Sequence, residues 1–316
     1  MKKRFYRSQS TEKPTERSTQ RSTVISSLII RRSLQSLCSV CVLSILFMIS
    51  TLVGQTTSSK SAAFQASPEF EKIKKRGYIV VAMTESDQPP LFFTNVAGEF
   101  VGIDVDIAKG IAQALDVGIQ FNREAVSFND LIPIVARGDA DFAISKLSRT
   151  ITRNQIVTFS TPYITFHQAL MFNRVQLAKI ATTNPEIASF IKRFRGKLGI
   201  IANSSYINYA RKNFPNATIV EFPDWDSVIT AVYSGDILAA YRDELEIKKA
   251  MKLRSDANLI LKTVLLSDTE DNIAIAIAWQ NNHLRSLINL YLEGIPKINA
   301  DNLLKRYQEI FTPAKQ

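Results

Sequence analysis

From Phe64 onward the chain alternates short apolar strand-like runs with amphipathic helix-like runs, and it holds no internal repeat or low-complexity stretch. That alternation constrains the fold more than any other feature and points to an α/β protein. YIVVAM (78–83) reads as a strand. IDVDIAKGIAQAL (103–115) reads as a helix, because Ile107, Ile111 and Leu115 recur at helical spacing. Asp104 and Asp106 fall in its first turn, where the helix dipole favours carboxylates. IQFNRE (119–124) is the next strand. Ser127 and Asp130 resemble a capping box opening the helix that carries Pro133, and DFAIS (141–145) is a buried strand.

A second series starts after Tyr163. ALMFN (169–173), KLGII (197–201), ATIVEF (217–222) and ILAAY (237–241) read as strands. Between them stand the helices IASFIKRFRG, ended by Gly196, YINYARKNF, and WDSVITAVYSG, capped by Asp224. DELEIKKAM is a further helix, and NIAIAIA (272–278) with two more helices closes the chain. Two α/β series joined by short extended segments imply two lobes with a cleft between them, the usual place for a small ligand.

The 316 residues suffice for two modest domains. The formal charge of +10 would suit nucleic acid, but ten Lys and Arg against two Glu lie within residues 1–63. The rest of the chain carries no basic stripe to track phosphates. The same N-terminus reads as an address: basic residues precede the apolar run LCSVCVLSILFMISTLVG (37–54). Ser61 and Ala63 then fit a cleavage site. Residues 1–63 are expected to be a signal peptide, or an N-terminal membrane anchor if uncleaved, which puts the remainder in the periplasm. Cys38 and Cys41 lie inside the apolar run, where no polar surroundings lower a thiol pKa. The exported part has no cysteine, and only His167 and His283, so neither disulfides nor a His/Cys metal site is expected. No cofactor motif and no Ser–His–Asp pattern stands out.

GIDVDIAKGIAQAL (102–115) resembles the signature of family-3 solute-binding proteins, the polar amino acid receptors of bacterial ABC transporters. PPLFF, LIPIVARGDADFAIS, SRTITRNQIVTFSTPY, GKLGIIANSSYINYA and VYSGDILAAYRDE follow in the family's order, so the similarity spans about residues 70–312. The resemblance implies a two-lobed periplasmic-binding-protein fold of type II, with a two-segment hinge near 163–167 and 266–272 and a ligand cleft between the lobes. Lobe 1 would be 68–165 plus 270–312, and lobe 2 would be 166–269.

It also implies site residues. Right after the apolar Phe142, Ala143 and Ile144 comes SKLSRTITRNQIVTFS, rich in hydroxyls and cations: a surface turn, or a pocket for an anionic group. Arg153 matches the family arginine that clamps the ligand α-carboxylate, a task suited to a guanidinium fork. Ser145 and Ser148 would complete that cradle, and Ser204 and Ser205 would present the lobe-2 turn. Asp243 matches the aspartate that meets the ammonium; alternatively it caps the following helix. Glu85 and Phe128 match residues near the ligand side chain, and Gln88 stands where the family commonly has a ring. Asn203 replaces a usual glycine. Lys146 departs most, because the family commonly has a small residue there; it reaches a ligand carboxylate, pairs with Glu85 or Glu244, or points to solvent. A cation beside the carboxylate clamp favours an acidic or amide ligand side chain. Trp225, Trp279 and Tyr291 read as packing.

The expected function is therefore a binding protein, with no catalytic residue. It would act as a monomer, delivering an amino acid to permease subunits in the inner membrane, with no nucleic acid partner. The alternatives are a cyclohexadienyl dehydratase-like enzyme acting on prephenate or arogenate, and a membrane-anchored sensor.

Overall fold

The computed structural model describes residues 66–311; the apolar run 37–54, the predicted cleavage site and both cysteines lie outside them. In chain order the elements are α1 (Pro68–Arg76), β1 (Tyr78–Thr84), β2 (Phe93–Thr94), β3 (Phe100–Val101), α2 (Ile103–Ala114), β4 (Gly118–Ala125), α3 (Leu131–Arg137), β5 (Phe142–Ala143), α4 (Ile151–Asn154) and β6 (Val157–Phe159). Then come β7 (Ile164–Asn173), α5 (Arg174–Ala178), α6 (Asn184–Lys192), β8 (Lys197–Ile201), α7 (Tyr206–Asn213), β9 (Thr218–Phe222), α8 (Trp225–Ser234) and β10 (Ala239–Asp243). The chain closes with α9 (Glu244–Leu253), α10 (Ala257–Ile260), β11 (Leu261–Ile273), β12 (Ala276–Ala278), α11 (Asn282–Glu293) and α12 (Ala300–Arg306).

Two five-stranded sheets organise these elements, in the orders β4-β1-β5-β12-β6 and β11-β7-β10-β8-β9. In the first, β4, β1 and β5 run parallel and β12 returns antiparallel between β5 and β6. Burial explains this: Val81, Met83, Phe142 and Ile277 are sealed beneath α2 and α11 on one face, and Ala82, Ala143 and Ala276 beneath α3 on the other. Strands covered on both faces read as continuous apolar runs rather than as alternations. The second sheet is built likewise, with separate apolar clusters around Leu198 and Tyr241 and around Val228 and Ala240. Each sheet with its helices forms one lobe.

β7 and β11 join the lobes. They pair antiparallel from Ile164 opposite Ile273 to Asn173 opposite Leu261, with an irregularity between Leu266 and Glu270. The extra residues of a bulge bend a strand locally, so this break lies where a bend between lobes is accommodated.

Several local expectations shift. The strand expected at 237–241 occupies Ala239–Asp243, so Arg242 and Asp243 belong to the strand rather than to the following helix. The helix expected to end at Gly196 is Asn184–Lys192, opened by a capping box between Thr183 and Glu186. Ser127 and Asp130 form only half a box: the Asp130 carboxylate accepts from the Ser127 N–H and hydroxyl, both at 2.8 Å. The strand at 141–145 contracts to Phe142–Ala143. β11 has no counterpart in the sequence reading, because its polar positions outnumber its buried ones along an edge of the sheet. Asp224 caps α8 as expected, accepting from the Ser227 N–H at 2.8 Å.

Candidate ligand site

The site begins where β5 ends. Ser145 is fully buried, and its hydroxyl accepts the Thr84 N–H at 3.1 Å. It therefore braces the segment against β1 instead of facing a cavity. Lys146 then adopts φ +50°, a left-handed geometry that costs a residue with a Cβ about 1–2 kcal/mol. Its N–H donates to the Asp104 carboxylate at 2.8 Å, and the Tyr163 hydroxyl donates to the other oxygen at 2.8 Å. The acidic first turn of α2 thus fixes both the Lys146 turn and the start of the hinge. Burial pushes the Asp104 carboxyl up to about 7, against those two hydrogen bonds.

From that turn Lys146 crosses to the other lobe. Its ammonium lies 2.9 Å from Asp243 and 2.7 Å from Glu246, and all three side chains are buried. Burial pushes the Glu246 carboxyl up, but Lys146, Lys249 and Arg242 together hold it well below the ordinary carboxylate range. Of the partners considered for Lys146, neither Glu85 nor Glu244 is used; Glu244 pairs with Lys248 at 2.7 Å. Asp243 caps α9 through the Glu246 N–H at 3.1 Å, and it also lines the cavity.

Arg153 is 5% exposed. It donates to the Ser148 carbonyl at 2.9 Å and to the Asn129 side-chain oxygen at 2.9 and 3.3 Å. Burial lowers its pKa to about 10, with nearby Asp271 opposing. The Ser148 hydroxyl donates to Asp271 at 3.0 Å and accepts from the Ser205 hydroxyl at 2.9 Å, which links the lobes. The Ser204 hydroxyl donates to the Ile201 carbonyl at 2.7 Å. Asn203 holds the left-handed geometry (φ +53°) that its replacement of a glycine implied.

These groups converge on a cavity of about 20 Å³, room for roughly one water. Among the expected residues, Phe128, Lys146, Ser148 and Arg153 line it from lobe 1, and Ser204, Ser205 and Asp243 from lobe 2. Glu85 does not; it is exposed on the turn after β1. Gln88 lines a different hollow of about 440 Å³, with Trp225. The cavity adds Tyr206, Arg242 and Asp271, which the sequence reading missed. The Arg242 guanidinium lies 5.4 Å from the Trp225 ring and 5.8 Å from Phe128, so Trp225 is a wall behind the site. Arg242 was hidden in a charge run read as a helix start. Asp271 sat in the hinge, and no spacing marked it.

Three cations and two carboxylates line the cavity. Burial, reinforced by Asp243, raises the Asp271 pKa, against the hydrogen bond from Ser148. Among the described residues no cluster of His, Cys, Asp and Glu is arranged to hold a metal. No helix there is long and apolar enough to cross a membrane. Cations outnumber carboxylates in this lining.

Residues 79–311 match the model for bacterial extracellular solute-binding proteins, family 3. An arginine-binding periplasmic protein of Mannheimia haemolytica is 26% identical over 233 residues, covering 73% of this chain and 89% of that one. The ABC transporter glutamine-binding protein GlnH of Bacillus subtilis is 25% identical over 279 residues, covering 85% and 94%. Among solved structures, the substrate-binding protein AbpA of Streptococcus pneumoniae bound to L-arginine superposes with a TM-score of 0.60 at 26% identity, covering 76% of this chain and 97% of that one.

Proposed function

Because the chain belongs to the bacterial extracellular solute-binding proteins, family 3, we propose that it is the receptor of an ABC importer, capturing a polar amino acid by lobe closure and handing it to a membrane permease. The observation that carries this is the cavity where the two lobes meet, lined from both sides by charged and hydroxyl groups. A ligand bridging two lobes favours closure because it gains contacts on both only in the closed form. Arg153, Ser148 and Ser205 would receive the α-carboxylate, Asp243 the ammonium, and Phe128 would flank the ligand. Ser145 and Ser204 support the two turns. Glu85, exposed on the turn after β1, lies outside the cavity lining.

The positive lining supports an acidic or amide ligand side chain over a cationic one. The names of relatives span arginine and glutamine binders, so the lining, not kinship, carries this choice. We assign residues 68–165 and 270–312 to lobe 1 and 166–269 to lobe 2. The protein works as a monomer in the periplasm, exported by residues 1–63. A micromolar ligand corresponds to about 8 kcal/mol, within reach of a few charge-assisted hydrogen bonds.

Mass spectrometry of the solute that co-purifies, followed by calorimetry across the twenty amino acids, tests this. We expect binding of glutamate, aspartate, glutamine or asparagine with compaction in solution scattering. Preference for arginine or lysine refutes the side-chain assignment; no binding and no compaction with any amino acid refutes amino acid capture, and with no small carboxylic acid either it refutes the receptor.

A further inference from the structure

The unmet hydrogen-bonding demand of this cavity is one-sided. Its acceptors are engaged: Asp243 by Lys146, Arg242 and the Glu246 N–H, and Asp271 by Ser148, with Tyr209 at 3.3 Å. Its donors are not. The Nη1 of Arg242, a residue that lines the cavity, is buried without a hydrogen-bond partner. Arg153 has five N–H groups, and three donor contacts reach only the neutral oxygens of Ser148 and Asn129. Leaving a buried donor unpaired is costly, so the cavity favours a ligand that brings acceptors.

Charge points the same way. Asp243 and Glu246 already face Lys146, Arg242 and Lys249, with Lys249 2.9 Å from Glu246. Two carboxylates thus meet three buried cations. A ligand ammonium at Asp243 would be a fourth cation, or would displace Lys146 into a region where Lys249 already stands.

We propose that Lys146 fills the place of the ligand's α-ammonium, and that the preferred ligand is a small dicarboxylate without an α-amino group, of the 2-oxo acid or simple diacid class. One carboxylate meets Arg153; the other meets Arg242 Nη1. This rests on the cleft being a solute site, as proposed above, and changes what stands opposite Asp243.

Calorimetry on the exported chain with glutamate, 2-oxoglutarate and glutarate, beside the remaining amino acids, decides it. We expect 2-oxoglutarate or glutarate to bind at least as tightly as glutamate and more tightly than any other amino acid. An amino acid that binds more tightly than both diacids overturns this proposal while leaving the receptor in place; no binding by either group overturns both. Lys146→Gly, which suits the left-handed backbone, supplies the second readout. It is expected to shift the ratio of glutamate to 2-oxoglutarate affinity toward glutamate by about tenfold or more. An unchanged ratio refutes the role of Lys146.

Discussion

Gly102 opens the signature segment, and its substitution by alanine makes a demanding prediction. Its φ is +126° and its ψ is 170°, a combination essentially reserved for glycine, which costs other residues about 1–3 kcal/mol. A Cβ there would also sit 2.3 Å from the Leu91 carbonyl oxygen, 2.6 Å from its carbon and 2.8 Å from the Phe92 nitrogen. All three are backbone atoms, so no rotamer change relieves the clash, and overpacking of this kind adds about 1–3 kcal/mol. Together the two effects give about 4 kcal/mol. For a domain of this size that lowers the melting temperature by about 8–16 °C. Because α2 carries Asp104, which holds the Lys146 turn at 2.8 Å, ligand binding weakens as well. The assay is thermal unfolding of the protein followed by circular dichroism, with Gly98→Ala as control. Gly98 also has a positive φ (+79°), but a Cβ there meets nothing within 4 Å, so its loss is expected at only about 1–2 kcal/mol. Equal melting temperatures for Gly102→Ala and Gly98→Ala would refute the steric argument; a Gly102→Ala protein within about 2 °C of the parent would refute both parts.

Arg153→Ala is expected to weaken ligand binding at least tenfold, about 1.4 kcal/mol, without unfolding the protein; calorimetry with parent-like affinity would remove Arg153 from the site. Asp104 gives a pH signature. Its folded carboxyl titrates near 7 and its unfolded one near 3.8, so between those values the fold keeps a proton that the unfolded chain has released. Stability from this group therefore falls as pH rises through that window, by about 4 kcal/mol, and levels off above it. In Asp104→Asn that fall should disappear from denaturant titrations run from pH 4 to 8; a parallel pH profile would refute it. Finally, prephenate incubated with the protein is expected to remain unconverted. Appearance of phenylpyruvate would move the site into the dehydratase class.

The α/β alternation and the place of Arg153 in the cavity lining were legible because each rests on local pattern. Helical spacing in α2 shows on the sequence, and Arg153 sits at a recognisable distance from Ser148 and from the hinge. Arg242 and Tyr206 were not legible. Their part in the cavity depends on how β10 and the start of α7 approach β5 in space, and a charge run gives no sign of which member turns inward. β11 was missed for a related reason: an edge strand alternates weakly, and here it pairs with β7 from Leu261 opposite Asn173 to Ile273 opposite Ile164, far apart in sequence. Lys146 was visible as a departure. Its destination was not, because Glu246 belongs to the same helix face that reads as solvated.

Lys146 belongs to one lobe by its backbone and to the other by its charge. Parting the lobes is therefore also a separation of charge: lobe 2 loses a cation and becomes more acidic on its inner wall, while lobe 1 exposes a new positive group. The walls then attract each other across the gap, over a range set by dissolved salt, about 8 Å under physiological conditions. Low ionic strength should hold the cleft shut and concentrated salt should loosen it, so the fraction of open protein would follow the salinity of the medium.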